Sequence, residues 1–419
     1  MSVLSSLSRR RRRTVLGVGT AILVIGGFGI YSATTGDDGA SPVDVEFILG
    51  GGTATTGKGD QLAVRGYFRG LAAAPDGTVY LFTEEKNGMT MWRREKSGAT
   101  KRIPVSGMNR STAQQAAVAP DGSVYFAADD LWKVSPDGKA VKVIDAFCKP
   151  NYPTRTTPVS DFCIGQVTGV TVADNGVVYI GDQVNRGRQS SYVHMIDGDT
   201  VKLVAGRPPK DGESTNRSNP SVRKGINPPS DTKARDVLVP EIWNSGWLAS
   251  DKHGLYWRTG AGIVRISSDG VLSSFVGAKS PNDMRQPDGP FNSIGRALDA
   301  SIARNATSSA PRGDLTVVSG RGEVYYSEAG KEYTPPFARA FRWAGSKTTS
   351  QKKLEKDLVG GKIVYRVAQG KVSPVIVGAQ SIAASTDALY VAVQSNDGDK
   401  GNPENWSTAV LQVQLPEKK

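Results

Sequence analysis

The sequence predicts an all-β fold built from six copies of one four-stranded unit. Six stretches share an apolar strand, a polar turn and a second strand whose first residues are Val-Tyr or Leu-Tyr. Turns such as Asp-Gly between alternating apolar runs are strong hairpin signals, because glycine supplies the positive φ that a tight turn needs. Two more strands joined by a short turn follow each of the first five pairs. Such sheets arranged radially form a β-propeller, so we expect six blades. The tyrosines that mark the repeats are Tyr80, Tyr125, Tyr179, Tyr256, Tyr325 and Tyr390.

Each predicted blade has strands a, b, c and d in chain order, and the sixth repeat lacks strand d. That repeat gives a as "SIAAS", b as "ALYVAVQ" and c as "AVLQVQL", after which the chain ends. Residues 43–50, "VDVEFILG", resemble the d strands "VKLVAG" and "SPVIVG". A strand without a local partner leaves an open edge. The sequence therefore predicts that 43–50 pairs with 409–415 and closes the propeller as the last d strand.

These repeats resemble the NHL-type propeller family over residues 43–416. The similarity lies in the turn Asp-x-Gly or Asp-Gly, the strand "VYIGDQVNRGR" at 178–188 and the strand ending "VKLVAG" at 201–206. Residues 58–77 and 286–302 also resemble that family's linkers between blades. The resemblance implies a propeller architecture. It implies no particular activity, since propellers host unrelated functions.

The N-terminus has the pattern of a membrane anchor. Residues 1–13 end in five arginines, and residues 14–34 are uncharged and long enough as a helix to cross a bilayer. Positive charge before this span and acidic residues after it predict a cytoplasmic N-terminus, a linker at 35–42 and an extracytoplasmic propeller in the cell membrane. Residues 417–419 form a short tail. A cleaved signal peptide, including a twin-arginine type, is the alternative interpretation.

The charge of +12 is carried in part by the N-terminal arginines, and the rest of the chain is moderately basic. A dispersed basic surface predicts no nucleic-acid partner and fits a solvated face or attraction to anionic envelope polymers. We expect a protein, a glycan or an anionic envelope polymer as the partner outside the membrane, and the lipid bilayer as the partner of residues 14–34.

The two cysteines, Cys148 and Cys163, flank one irregular loop. In an exported domain such a pair predicts a disulfide, and two free thiols are the alternative. A metal site is not expected, because no second cysteine pair or nearby histidine completes a tetrahedral set.

In an antiparallel blade, the a–b and c–d turns lie on one face, and the b–c loops and d–a crossings lie on the other. We call these the short-turn face and the long-loop face. Every long insertion falls in the second class, which predicts that the long-loop face carries the function. The insertions are 148–166, 207–244, 279–312, 329–361 and 395–407.

The insertion at 329–361 interleaves aromatic and basic residues, which suits a glycan, an anionic polymer or a protein surface. Packing of these aromatics against the propeller rim is the alternative. The candidate binding residues are Tyr333, Phe337, Arg339, Phe341, Arg342 and Trp343.

Few residues suggest catalysis. The two histidines, His194 and His253, belong to different blades and are expected on the surface, which disfavours a histidine-dependent triad or metal site. Lactonase-like and dehydrogenase-like propellers use carboxylates and amides in the central channel, sometimes around calcium. By position, the channel candidates are Asp182, Asn185 and Glu328.

Together these patterns predict a membrane-tethered extracytoplasmic propeller that binds or scaffolds partners through its long-loop face, with no catalytic residues and no metal or other cofactor. The alternative is an exported propeller hydrolase or oxidoreductase with calcium or a quinone in the central channel.

Overall fold

The computed structural model confirms an all-β architecture of six antiparallel sheets, the six blades of a propeller. In the described part of the chain, the helical structure is limited to one short α-helix and a few 3₁₀ turns. The described residues are 43–108, 115–146, 156–184, 190–211, 231–239, 247–259, 262–277, 295–296, 314–329, 341–343, 348–356 and 362–415.

The strands of the first half follow the predicted order. They are β1 (Val43–Gly50), β2 (Tyr67–Ala73), β3 (Val79–Glu85), β4 (Gly88–Arg94), β5 (Thr100–Pro104), β6 (Gln115–Val118), β7 (Val124–Ala128), β8 (Asp130–Val134), β9 (Ala140–Ile144), β10 (Thr157–Pro158), β11 (Val167–Val172), β12 (Val178–Val184), β13 (Ser190–Asp197) and β14 (Thr200–Ala205). Blade 1 is β2 to β5, blade 2 is β6 to β9 and blade 3 is β11 to β14.

The second half continues the pattern with larger insertions. Its elements are β15 (Thr232–Lys233), β16 (Leu248–Asp251), β17 (Gly254–Arg258), β18 (Gly262–Ile266), β19 (Val271–Gly277), β20 (Gly295–Arg296), β21 (Leu315–Val318), β22 (Glu323–Ala329), β23 (Phe341–Trp343), α1 (Thr349–Lys356), β24 (Lys362–Ala368), β25 (Lys371–Ala379), β26 (Ser381–Ala384), β27 (Leu389–Asn396) and β28 (Trp406–Gln414). Blade 4 is β16 to β19, blade 5 is β21, β22, β24 and β25, and blade 6 contains β26 to β28 and β1.

The short-turn face is built as the repeats predict. In the a–b turn of blade 1, the Asp76 carboxylate accepts a hydrogen bond from the Thr78 backbone at 2.8 Å, and Gly77 has a φ of 92°. An Asx turn of this kind replaces backbone bonds that the chain reversal breaks. The Tyr390 hydroxyl of blade 6 lies 3.5 Å from the Gly77 carbonyl, so the repeated tyrosine reaches the turn of the next blade.

The apolar core lies between blades rather than inside one sheet. One buried cluster joins blades 1 and 2, where the rings of Phe82 and Phe126 meet edge to face with centroids 4.3 Å apart. Both side chains are fully buried. Because each blade covers the next, every repeat depends on its neighbours for burial of its apolar face.

The linkers between blades add short edge strands that the repeat pattern did not reveal. β10, β15 and β20 each pair with the outermost strand of the blade that follows them in the chain. After β10 the chain buries Phe162 and Ile164, and after β15 it buries Val237 and Val239. The described parts of these two linkers therefore pack between neighbouring blades and contribute to the apolar core.

β1 lies antiparallel to β28, with Asp44 opposite Gln414 and Gly50 opposite Ala409. The other edge of β1 pairs in parallel with β23, which belongs to the insertion at 329–361. The helix α1 of the same insertion places Leu354 in the core cluster that contains Val45 of β1. Part of this insertion therefore packs on the rim of blade 6.

The predicted anchor at 14–34 lies outside the described residues. Within the described ranges, the longest helix is far too short and too polar to cross a bilayer. Cys148 also lies outside the described residues, while Cys163 follows the 3₁₀ turn of the linker into blade 3. The pairing of the two cysteines stays a prediction.

Candidate functional site

The innermost strands of all six blades surround a central channel that holds a cavity of about 640 Å³. Leu71 and Ala116 line it from the first two blades, and Val170, Leu248 and Leu315 line it from the next three. Most of its wall is backbone and small apolar side chains. Of its charged and amide groups, only Asp174 lies in a short turn among the described residues. The others lie toward the long-loop face, where each innermost strand begins.

One amide side chain crosses this channel. Gln115 of blade 2 donates to the carbonyls of Leu248 at 2.6 Å and Leu315 at 3.2 Å. Its oxygen accepts from the backbone N–H groups of Val170 and Leu248, both at 3.1 Å. All four hydrogen-bonding functions of the amide are used. Gln115 therefore ties blade 2 to the innermost strands of blades 3, 4 and 5.

A buried charged group lies next to this crossing in blade 5. Asp314 directly precedes β21, and its Oδ2 accepts from the Lys362 ammonium and from the Ser327 hydroxyl, both at 3.2 Å. The Asp314 backbone N–H donates to the Ser327 hydroxyl at 2.8 Å. Asp314 and Lys362 line the cavity and are almost completely buried. The pair holds opposite charges in a low-dielectric site where neither is solvated.

The second oxygen of this carboxylate is unsatisfied. Asp314 Oδ1 is buried and has no hydrogen-bond partner among the described residues. Burial raises the pKa of Asp314 above its ordinary value, although Lys362, Ser327 and Arg258 act in the opposite direction. A buried acceptor without a donor costs about 1–3 kcal/mol, so it requires an explanation.

Two further groups frame the Asp314 carboxylate. Trp247 lines the cavity one residue before β16, with its ring centroid 5.9 Å from the Lys362 ammonium. Its indole N–H is buried and has no partner in the described part of the chain. Arg258 is buried behind the cavity wall and donates to the Ser327 carbonyl at 2.6 Å. Trp247 and Asp314 therefore bring a donor, Trp247 Nε1, and an acceptor, Asp314 Oδ1, to one end of the cavity, and neither atom has a partner among the described residues.

Blade 1 brings a second ion pair to the same end of the channel. Arg69 Nε donates to Glu84 at 2.7 Å, and Arg69 lines the cavity while Glu84 is buried. The Arg69 guanidinium also lies 5.4 Å from the ring centroid of Tyr67. Here the acid is neutralised by the guanidinium.

The predicted channel residue Asp182 is buried in blade 3 and is not among the residues that line the cavity. Its Oδ1 accepts from the backbone N–H groups of Gly165 at 3.0 Å and Gln166 at 3.4 Å. Its Oδ2 lies 3.2 Å from His194 Nε2. Asp182 therefore holds the linker between blades 2 and 3 against blade 3.

The expected surface position of His194 was wrong. Its side chain is only 1% exposed, and its ring meets Phe162 edge to face with centroids 4.9 Å apart. The c strand turns this side chain toward the linker, whose apolar residues cover it. His253, in the a–b turn of blade 4, is exposed as expected. The two histidines lie in different blades.

The other predicted site residues are less fully described. Asn185, Tyr333, Phe337 and Arg339 lie outside the described residues. The backbone of Glu328 belongs to β22, but its side chain is not described. Phe341, Arg342 and Trp343 form β23 at the edge of β1, and their side chains are likewise not described. Their proposed binding roles stay predictions.

A cluster of aromatic and basic residues on the long-loop face was not predicted. The b–c loop of blade 6 folds against the start of blade 1, where the rings of Tyr67 and Trp406 lie 5.8 Å apart. The Tyr67 hydroxyl and the Trp406 indole N–H both donate to the Lys400 carbonyl, at 2.9 and 3.1 Å. Arg65 donates to Ser407 at 2.7 Å and is exposed beside them. We call Arg65, Tyr67, Lys400 and Trp406 the rim cluster.

The described donors do not fit a calcium site in the channel. Calcium requires six to eight oxygen ligands, several of them carboxylates. At the charged end of the cavity, Glu84 already pairs with Arg69, and Asp314 pairs with Lys362. Among the described residues, no group of three or more His, Cys, Asp or Glu side chains could hold a metal ion.

The channel residues that the sequence reasoning missed share a position. Trp247, Asp314 and Gln380 each stand immediately before the innermost strand of a blade, and Gln115 is the first residue of such a strand. That position is a signal that the aligned repeats contain, because it marks where each blade meets the channel. The pairing of Asp314 with Lys362 leaves no such signal, since 48 residues separate them.

No family model matches the sequence, and no curated protein matches it either. Solved structures do resemble it. A gluconolactonase from Xanthomonas campestris is 11% identical with a TM-score of 0.42, over 90% of this chain and 98% of that chain. A PQQ-bound aldose sugar dehydrogenase from Streptomyces coelicolor is 14% identical with a TM-score of 0.39, over 90% and 100%. Regucalcin, a calcium-binding protein from Agrobacterium tumefaciens, is 10% identical with a TM-score of 0.41, over 84% and 92%. These similarities say nothing about what this chain binds.

Proposed function

We propose that this chain is a membrane-tethered, extracytoplasmic propeller that binds or scaffolds a partner through its long-loop face. The observation that carries the proposal is the rim cluster, where aromatic rings and basic groups of two blades meet on that face. Aromatic side chains with a polar edge, set beside arginine and lysine, are typical of recognition surfaces. The expected partner is a protein, a glycan or an anionic envelope polymer.

The distribution of charge supports this choice of face. Acidic residues outnumber basic residues in the short turns, whereas basic residues outnumber acidic residues in the long-loop connections. The insertion at 329–361 alone has seven Lys or Arg residues against three Asp or Glu residues. A face with excess positive charge attracts acidic partners and increases their rate of association.

Retention of envelope material on the immobilised full chain tests the proposal. Replacing Arg65 and Trp406 with Ala should abolish retention of the specific partner, because it removes a cation and a ring from the rim cluster. The matched control replaces Lys133 and Tyr125 with Ala, which removes a cation lying 5.5 Å from a tyrosine ring in blade 2. Equal loss in both variants, or in neither, would contradict a role for the rim cluster.

The proposal includes the anchor at 14–34 and a cytoplasmic N-terminus. In membranes from the producing cell, the chain should resist extraction at alkaline pH. Protease added outside the cytoplasmic membrane should digest the propeller but spare the first 13 residues. Release of the whole chain by alkali, or a mature N-terminus beyond residue 34, would support the signal-peptide alternative instead.

We further propose that β1 serves as the clasp of the ring. Val45, Phe47 and Leu49 of this strand are buried, and about 1.5–3 kcal/mol is lost for each such side chain that returns to water. Deleting residues 43–50 should therefore lower the thermal stability of the whole propeller. Unchanged thermal stability of the truncated chain would refute the closure.

The second candidate function is an exported hydrolase or oxidoreductase with calcium or a quinone in the channel. The cavity and its buried Asp314–Lys362 pair favour an active site in the central channel, since ionisable groups with perturbed pKa values concentrate at functional sites. The described donors do not supply a calcium set. A tightly held, stoichiometric cation or coloured cofactor in the purified full chain would favour this candidate over the binding function.

A further inference from the structure

The end of the channel beside Gln115 has two unmet hydrogen-bonding requirements in one place. Asp314 Oδ1 is an acceptor and Trp247 Nε1 is a donor, and both are buried without partners among the described residues. Asp314 and Trp247 are 2% and 3% exposed, and both line the cavity. The Lys362 ammonium lies 3.2 Å from Asp314 Oδ2 and 5.9 Å from the centroid of the Trp247 ring, so the two residues share one neighbour at this end of the cavity.

Access to these atoms is set by Gln115. Each innermost strand runs from the long-loop face toward the short-turn face, and Gln115 bonds to Leu248 and Leu315. Trp247 and Asp314 come one residue earlier in their strands, on the long-loop side of that crossing. A ligand therefore reaches them from the long-loop face, and the amide forms the floor of the site.

The local charge argues for a neutral ligand. Asp314 and Lys362 neutralise each other at 3.2 Å, and Arg69 is matched by Glu84. A carboxylate ligand would face the Asp314 oxygen that has no donor and would be repelled by it. A cation would face Lys362. A hydroxyl group can donate to Asp314 Oδ1 and can also accept from Trp247 Nε1.

We propose that the long-loop end of the channel is a binding site for a small, neutral polyhydroxylated molecule, held by Asp314 Oδ1 and Trp247 Nε1 with the Trp247 ring as a wall. This site is separate from the rim cluster and does not depend on the proposed binding of a larger partner. It uses no metal: the Lys362–Asp314 pair holds the carboxylate in place. Aromatic rings beside hydroxyl-binding groups are a common arrangement in pockets for polar ligands.

Calorimetric titration of the full chain, purified in a detergent without a sugar headgroup, tests the site. The neutral probes are D-glucose and myo-inositol, and the anionic probe is D-gluconate. A neutral probe should bind with one site per chain. Trp247→Phe keeps the ring but removes the donor, and it should weaken binding roughly fivefold, the loss of one net hydrogen bond.

Trp257→Phe is the matched control. Trp257 belongs to the same blade and is buried, its indole N–H also has no partner among the described residues, and it does not line the cavity. This variant should bind the neutral probe as the wild type does. Equal weakening in both variants would assign the effect to packing of blade 4 and overturn the proposal.

A double variant, Asp314→Leu with Lys362→Met, removes the acceptor without leaving a charge unpaired, so it should fold. It should lose binding of the neutral probe completely. Three results would overturn the proposal: no binding of either neutral probe to the wild type, binding of gluconate alone, or binding that survives in the double variant.

Discussion

Blades 3 and 5 each bury a carboxylate near the long-loop end of the innermost strand, and these two carboxylates are satisfied to different degrees. Both oxygens of Asp182 have partners, which are the Gly165 and Gln166 backbone on one side and His194 on the other. Among the described residues, Asp314 has partners on Oδ2 only. Asp182 faces a packed linker, whereas Asp314 faces a cavity.

The difference separates a structural acid from a candidate functional one. Natural proteins satisfy buried polar groups almost everywhere, so a half-satisfied carboxylate in a cavity marks a place where a ligand or water completes the network. The environment of the second carboxylate oxygen distinguishes the two acids.

The largest effect should come from removing the partner of Asp314. Lys362→Met leaves a buried carboxylate without its cation, which should lower the free energy of unfolding by about 3–5 kcal/mol. Urea unfolding followed by circular dichroism measures the change. Lys353→Met removes an exposed lysine 3.3 Å from Asp397 and should change stability by less than about 1 kcal/mol. Equal effects of the two variants would remove the distinction between buried and exposed pairs.

The satisfied acid should show a smaller but clear loss. Asp182→Asn removes the charge that accepts from the linker backbone and from His194, and charged hydrogen bonds contribute about 1.5–3 kcal/mol. The same unfolding measurement should show a loss in that range, together with faster proteolysis of the linker between blades 2 and 3. An unchanged cleavage rate would contradict the assignment of Asp182 to linker docking.

Gln115 offers a neutral counterpart to both acids. Gln115→Leu leaves the carbonyls and N–H groups of three blades without their partner, and we expect a loss of about 1–3 kcal/mol in stability. Gln61→Leu is the control, because Gln61 is exposed and its side chain accepts a hydrogen bond from the Lys58 backbone N–H at 3.3 Å within one linker. If Gln115→Leu were as stable as this control, Gln115 would not be holding the innermost strands together.

The smallest effect concerns the pH dependence of stability, which should differ in sign between two buried acids. The raised pKa of Asp314 means that its folded state keeps a proton that the unfolded chain has lost, so its contribution falls as pH rises above its ordinary pKa of 3.8. Glu323 behaves oppositely. Burial raises the pKa of Glu323, but hydrogen bonds from Arg366 and Tyr325 outweigh it and hold that pKa below 4.5.

The contribution of Glu323 to the free energy of unfolding is therefore lost as pH falls below 4.5. Thermal melts of Asp314→Asn and Glu323→Gln across the acidic range measure both slopes. In Asp314→Asn, the part of the fall in thermal stability toward neutral pH that Asp314 causes should disappear. In Glu323→Gln, the part of the fall toward low pH that Glu323 causes should disappear. Parallel profiles for the two variants would show that the acids are not perturbed in opposite directions.

Much of the fold could be predicted because the signals are local and repeated. A polar a–b turn, such as the one at Asp76 and Gly77, and the apolar alternation of the strands beside it recur six times, so the number of blades follows from counting. The linker strands β10, β15 and β20 could not be predicted, because two residues are too few to show a period. The apolar pairs that follow them, such as Phe162 and Ile164, carry a weak signal that only alignment of the linkers would expose.

The candidate site was less predictable. Asp182 was correctly located at the end of a b strand, but strand position alone does not say whether a side chain turns toward the channel or toward a linker. His194 was expected at the surface, but the linker that follows the preceding blade covers it. The b–c loop of blade 6 contacts Tyr67, more than 300 residues away in the sequence. A pattern of neighbouring residues cannot predict a contact over that separation.

The sequence by itself determined the six repeats, the face that receives the insertions and the uneven distribution of charge, because each depends on residues that are neighbours in the chain. Only the tertiary structure decided which polar groups meet. The contacts of Asp314 with Lys362, and of Gln115 with three other blades, join residues 48 to 200 positions apart. Their energies depend on burial and on distances of a few ångströms, and both are set only when the strands and blades pack together.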